Sequence, residues 1–198
     1  MLAVIDKEPT AVRRRNHIPG EAGLWLLLFG DMTVFAVLFG LYLHARSQDP
    51  ELFASSQSEL NANLGALNTL VLLTSSLLVV WASTCMRTQQ RRRGVLLLVG
   101  SMALGGVFIV IKVFEYHDQI ASGNVPSTNM FFTYYFALTG LHLAHLVLGL
   151  LALGGLAYLL RRPDDEEIPE AFFEGGACLW HTIDLLWIVI FPLIFLVR

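Results

Sequence analysis

The stretch Phe131–Leu160, FFTYYFALTGLHLAHLVLGLLALGGLAYLL, contains no Asp, Glu, Lys or Arg. About 20 apolar residues suffice for a helix to cross the hydrocarbon core of a bilayer. This run is therefore a membrane span with residues to spare for tilt or for extension past the bilayer. It also holds His142 and His145, three positions apart. At that spacing both imidazoles start from one side of a helix, less than a turn from each other. Such a pair can ligate a metal or haem, handle protons, or tie helices together.

Four more uncharged or nearly uncharged runs flank it: about Ala22–Leu43, Gly65–Met86, Gly94–Tyr116 and Gly175–Val197. The chain has 198 residues, 55% of them hydrophobic and only 15% charged, against about 25% charged in an ordinary soluble domain. Its mean hydropathy is +0.61. These values predict an all-α polytopic membrane protein, a bundle of five transmembrane helices. Residues 21–198 form a single five-helix transmembrane domain, and residues 1–20 a cytoplasmic N-terminal tail. That tail, MLAVIDKEPTAVRRRNHIPG, lacks the order of a signal peptide, because its basic cluster follows the weakly apolar start.

Orientation follows from the basic residues, which favour the cytoplasmic side. Lys7 and Arg13 to Arg15 precede the first span, Arg87 and Arg91 to Arg93 lie between the second and third, and Arg161 and Arg162 follow the fourth. The opposite side has only Arg46 and Arg198, with Lys112 inside the third span. The N-terminus is therefore expected inside and the C-terminus outside, in the cell's inner (plasma) membrane.

The outer loop Arg46–Leu64 is polar and predicts a short interfacial helix, and Gly123 and Pro126 mark a turn in the second outer loop. The acidic cluster Asp164–Glu167 reads as a solvated hairpin, or as a docking surface for a partner subunit. Cys85 and Cys178 fall at the cytoplasmic ends of spans two and five, where a structural disulfide is not expected, and no zinc spacing surrounds them. They read as small packing residues. Small residues recur inside the spans (Gly30, Gly40, Gly105, Gly106, Gly149, Gly154, Gly155, Ser75, Ser76) and predict close helix packing.

Ionisable residues at membrane depth normally face the protein interior and have a partner. Asp31 sits near the middle of span one, either as an interhelical tie or as a proton-handling carboxylate. Lys112 and Glu115 are spaced for an intrahelical ion pair. His181 and Asp184 repeat the i, i+3 geometry in span five, with Glu174 on the same broad face and Trp180 and Trp187 on a neighbouring one. An interhelical polar clamp is the simplest reading of that group. A bis-His haem would need His142 or His145 to face His181. A di-iron bundle would need Glu-x-x-His motifs, and span four has no carboxylate. No phosphate loop, nucleophile elbow or basic nucleic-acid patch is present. Neither a metal site nor nucleic acid is expected for this chain.

Taken together, GDMTVFAVLFG, LNTLVLLTSS, KVFEY, FFTYYFALTGLHLAHLVLGL and FEGGACLWHTIDLLWIVIF resemble subunit III of the haem-copper oxidases, in family order and over about Pro19 to the C-terminus. The combination TG-x-H-x-x-H with E-x6-H-x-x-D-x-x-W carries most of the specificity. The resemblance implies a non-redox accessory subunit of a terminal respiratory oxidase. It would pack beside subunit I, in a complex that also contains subunit II, and haem and copper would lie in those partners. It also implies bound phospholipid and a part in proton uptake and sustained turnover.

Full-length members have seven spans, so the chain resembles a five-span form lacking the first two, its lipid cleft incomplete or completed by another subunit. The carboxylate of span one is typically Glu in the family, and Asp31 is one methylene shorter. The PGEAGLWLLLFGDM start and DLLWIVIFPLIFLVR ending also resemble a subgroup associated with nitric oxide reductases. On this reading His142, His145, Lys112, Glu115, Glu174, His181 and Asp184 are polar interhelical or lipid contacts. A rival from another class is an independent proton-coupled transporter using Asp31 and His181. It lacks the broken helices and inverted repeat such folds use.

Overall fold

The computed structural model describes residues 22–161 and 170–197. The tail 1–20, the acidic cluster Asp164–Glu167 and Arg198 lie outside the described residues. Six α-helices follow one another: α1 (Ala22–Gln48), α2 (Pro50–Ser58), α3 (Ala62–Arg87), α4 (Arg91–Ala121), α5 (Met130–Leu160) and α6 (Glu170–Phe191), the last running into a π-turn at Pro192–Leu196. Five of them are long and apolar enough to cross a membrane: Gly23–Gln48, Ala62–Arg87, Arg91–Ala121, Met130–Leu160 and Phe172–Leu196. The protein is an integral membrane protein. Among the described residues there is no strand.

The spans outrun the apolar runs where polar residues stay helical beyond the hydrocarbon core. Span one continues through His44 and Arg46 to Gln48, and span three continues past Tyr116 to Ala121. Asp49 then stops α1 and caps α2, its side chain accepting from Leu52 N–H at 3.1 Å, with Pro50 preset for the first helical position. The short helix expected in this loop is α2. Its Phe53 is buried edge-on against Tyr42 and Phe131, at 5.5 and 5.7 Å between centroids.

Helices α3 and α4 form the closest pair, an antiparallel hairpin with a very short turn. Gln89, at φ 59°, takes the left-handed position after α3. Gln90 N–H then reaches Cys85 O at 2.8 Å and Gln89 N–H reaches Met86 O at 3.1 Å. This double bond pattern satisfies two carbonyls that a helix end otherwise leaves open. Within the hairpin, the Ser75 and Ser101 hydroxyls meet at 2.7 Å in full burial.

Helices α3 to α6 make a four-helix bundle, and α1 lies against α5 and α6 as an outrigger. The bundle core holds Leu98, Phe108, Leu146, Leu153, Trp180 and Trp187, all fully buried. Among the described side chains of α1, Leu28, Phe35 and Tyr42, spaced by seven, are buried, with Asp31 and Leu38 partly covered on the same face. Leu26, Leu27, Phe29, Val34 and Val37 are exposed to the surroundings. Such a face suits lipid or another membrane subunit, because hydrocarbon is as apolar as these side chains.

The small residues divide into two classes. A methyl group at Gly149 would come within 2.7 Å of Ile183 and 2.9 Å of Trp180, and one at Gly105 within 2.8 Å of Leu150. Gly30, Gly40, Gly106 and Gly155 have open space at that position, so close packing accounts for only part of the set. Gly149→Ala is therefore expected to lower stability by about 1–3 kcal/mol through overpacking, whereas Gly106→Ala should leave it unchanged. Thermal unfolding of the purified variants checks this, and equal melting temperatures for the two would refute it.

Pro192 cannot donate a helical hydrogen bond, and the chain widens there, with Val197 N–H reaching Pro192 O at 2.9 Å. The π-turn buries Ile194 and Phe195 and presents the Leu193 carbonyl to Tyr42 Oη–H at 3.2 Å. One hydroxyl thus ties the end of the chain back to α1.

Candidate functional site

Ionisable side chains inside the helices gather in three places. The first lies between α1 and α5. Asp31 Oδ1 stands 2.9 Å from His145 Nε2, both side chains being about one-fifth exposed. Phe35, one turn along α1, packs its edge against the imidazole at 5.5 Å. His145 Nδ1 lies 2.8 Å from the Leu141 carbonyl. A carbonyl only accepts, so Nδ1 carries a hydrogen. The Nε2–Oδ1 contact then needs one further proton, shared between an imidazole and a carboxylate that would otherwise face each other with lone pairs. The pair lies at the edge of the bundle and is partly exposed beside α1.

The second centre is closed. Lys112 is 1% exposed and donates to Glu115 Oε1 at 2.9 Å within α4. Tyr135 of α5 donates its hydroxyl to the same oxygen at 2.5 Å. The ammonium sits over the rings of Tyr116, Tyr135, Trp187 and Phe195, 5.1–5.6 Å from their centroids. Those faces carry negative charge density toward it. Next to Glu115, Tyr116 shares a hydrogen bond of 2.6 Å with Thr139, joining α4 to α5. Helix α4 thus places Lys112, Glu115 and Tyr116 on the side facing α5 and α6.

The third centre joins α3 to α6. Ser76 Oγ meets His181 Nδ1 at 2.7 Å, Arg87 pairs with Glu174 at 3.3 Å, and Trp187 Nε1–H donates to Thr69 Oγ1 at 3.0 Å. Trp180 and Trp187 are fully buried in the bundle. Cys85 and Cys178 are free and half-buried.

Sequence spacing placed His142 and His145 together, but the fold separates their roles. Three residues on a helix rotate by about 300°, leaving the two side chains about 60° apart. His145 reaches the α1 seam, while His142 is fully buried with both ring nitrogens unpartnered, against Trp187 at 5.2 Å and Phe108 at 5.7 Å. His181 bonds to Ser76 on a different helix, so neither span-four histidine faces it as a ligand pair would. Among the described residues no group of three or more His, Cys, Asp or Glu converges as metal ligands would. The Asp31–His145 contact had no sequence signal, because an interhelical register is set by packing and not by spacing.

A family model of cytochrome c oxidase subunit III matches residues 16–197. The chain is 27% identical over 191 residues to cytochrome c oxidase subunit 3 of Bacillus sp. (strain PS3), covering 95% of this chain and 92% of that protein. It is 26% identical over 174 residues to cytochrome bo(3) ubiquinol oxidase subunit 3 of Buchnera aphidicola subsp. Acyrthosiphon pisum, covering 88% of this chain and 84% of that one. A heme-copper oxidase subunit I+III of Aeropyrum pernix is 24% identical over 186 residues, covering 89% of this chain and 22% of that much longer protein.

Proposed function

The chain belongs to the cytochrome c oxidase subunit III family, and from that premise we propose that it is the non-redox accessory subunit of a haem-copper terminal oxidase, stabilising the catalytic subunit and supporting its proton uptake. Its partner is subunit I, with subunit II in the same complex, and haem and copper belong to those chains. The relative in which subunits I and III form one polypeptide supports that pairing. Phospholipid fills the apolar surface around α1, and the complex sits in the plasma membrane with the N-terminus of this chain in the cytoplasm.

The observation that carries the proton-handling part is the Asp31–His145 pair. It sets an imidazole against a carboxylate at 2.9 Å within a candidate span, and it is partly exposed on the helix least covered by the rest of the chain. Such a group can accept and return protons beside a catalytic neighbour without touching substrate. Asp31→Asn keeps the shape and a hydrogen bond but removes the carboxylate. In the assembled oxidase it is expected to speed inactivation during turnover by roughly tenfold, the effect of about 1.4 kcal/mol on a barrier. The measurement is oxygen consumption against time by complexes shown to retain the subunit. Unchanged sustained turnover would reduce Asp31 to an interhelical tie. Purification through a tag on this chain tests the partner: an oxygen-reducing haem-copper subunit I is expected. A nitric oxide-reducing complex, or an isolated active chain, would overturn the assignment.

A further inference from the structure

Ser76 of α3 has a single hydroxyl proton and two claimants for it on α6. Its Oγ meets His181 Nδ1 at 2.7 Å, and the same side chain is the hydrogen-bond neighbour of the Asp184 carboxyl. His181 and Asp184 are three residues apart, so one side of the helix carries both toward α3. The two ends of this set differ in cover. Asp184 is 3% exposed, and neither of its oxygens has another polar partner among the described residues. His181 and Ser76 are only partly buried. The other ionisable groups within the bundle are engaged elsewhere. Lys112 pairs with Glu115, His145 with Asp31 and Arg87 with Glu174, while the His142 ring lies against Trp187 and Phe108.

A carboxylate buried without a positive partner is costly, and taking up a proton removes its charge. The neutral acid also gains a donor that the carboxylate lacks. Hydrogen-bond bookkeeping then allows two complete arrangements of the three side chains. In the first, Asp184 O–H donates to Ser76 Oγ, Ser76 O–H donates to His181 Nδ1, and the imidazole carries its hydrogen on Nε2. In the second, His181 Nδ1–H donates to Ser76 Oγ, and Ser76 O–H donates to the Asp184 carboxylate. Passing from the first to the second moves one proton from Asp184 to Ser76 Oγ and one from Ser76 to Nδ1, and the imidazole gives up its Nε2 proton. The reverse sequence takes a proton up at Nε2 and returns one to Asp184. The balance is one proton stored or released, with no other reactant. We propose that Asp184 is a buried proton-binding site, and that Ser76 passes its proton to and from His181 at the partly exposed seam between α3 and α6. This site is independent of the Asp31–His145 pair, which joins α1 to α5.

The test is infrared spectroscopy of the intact complex before and after transfer to heavy water, because a protonated carboxyl has a C=O band distinct from that of a carboxylate. The expected result is a protonated-carboxyl band that Asp184→Asn removes and Asp31→Asn leaves in place. Exchange of that carboxyl should slow by roughly tenfold in Ser76→Ala, as a barrier raised by about 1.4 kcal/mol would give. Ser76→Thr retains a hydroxyl and should exchange at the wild-type rate. His181→Gln interrupts the relay at its exposed end and should slow exchange to a similar extent, which decides the matter even where Ser76→Ala fails to assemble. If Asp184→Asn removes no such band, the carboxyl is ionised and the site is overturned. An exchange rate unchanged in Ser76→Ala or in His181→Gln would overturn the relay, as would equal slowing in Ser76→Thr.

Discussion

Glu115→Ala is expected to cost about 3–5 kcal/mol, because removing one partner of a buried ion pair strands the other charge. The Lys112 ammonium would keep only aromatic faces as neighbours, and Tyr135 would lose the oxygen that accepts its hydroxyl. Cation–π contacts of about 2 kcal/mol at best when desolvated do not replace a carboxylate. The double variant Lys112→Met with Glu115→Gln should recover most of the loss, since replacing a whole buried pair by neutral groups of similar volume is often neutral or favourable. The measurement is thermal unfolding of the purified complex, together with the amount of this subunit retained in it. A single variant as stable as wild type, or a double variant worse than the single, would show that the cage contributes little. Both charges come from one helix at i, i+3, so the pair stiffens α4 locally, while Tyr135 extends it to α5.

Trp187→Ala should cost a similar amount, about 3–5 kcal/mol, the range for removing a large aromatic from a core. The indole is the contact common to four elements. It packs at right angles on Phe108 of α4 at 4.8 Å, lies on His142 of α5, donates to Thr69 of α3 and sits under Lys112. Trp187→Phe would keep much of the ring packing and leave Thr69 Oγ1 without the indole donor, a loss of about 1 kcal/mol. The ordering Ala far below Phe, and Phe slightly below Trp, is the expected pattern in melting temperature. Equal effects from the two substitutions would mean that the hydrogen bond, and not the packing, dominates.

How far the sequence carried these conclusions differs from residue to residue. The uncharged run Phe131–Leu160 announced α5 almost to the residue, because lipid permits few structures besides a helix. The Lys112–Glu115 pair was legible for a local reason: both partners sit on one helix, and spacing alone brings them together. The ends of α1 and α4 were less so. His44, Arg46 and Gln119 are polar enough to read as loop yet remain helical, and Gln119 is buried, donating to the Glu59 carbonyl at 3.2 Å and accepting from Asn124 at 2.9 Å. Asp31 was visible as an anomaly but its partner was not. His145 and His142 are equivalent by spacing, and only the way α5 packs against α1 on one side and α6 on the other distinguishes them. Trp187, placed by spacing only on a face beside His181 and Asp184, packs at the bundle's centre for the same reason.

The bond from Tyr42 to the Leu193 carbonyl spans 151 positions, which gives the fold an order in time. At roughly 5–20 residues per second of synthesis, α1 enters the membrane some 8–30 s before the π-turn that receives its tyrosine exists. Asp31 likewise precedes the arrival of His145 by most of the chain. During that interval the first helix has neither of its long-range polar tethers, and the α3–α4 hairpin, held by its own short turn, can form first. The apolar face of that span suits lipid throughout, so only Asp31 and Tyr42 wait for partners, and the capture of α1 by α5 and then α6 comes after both have been synthesised.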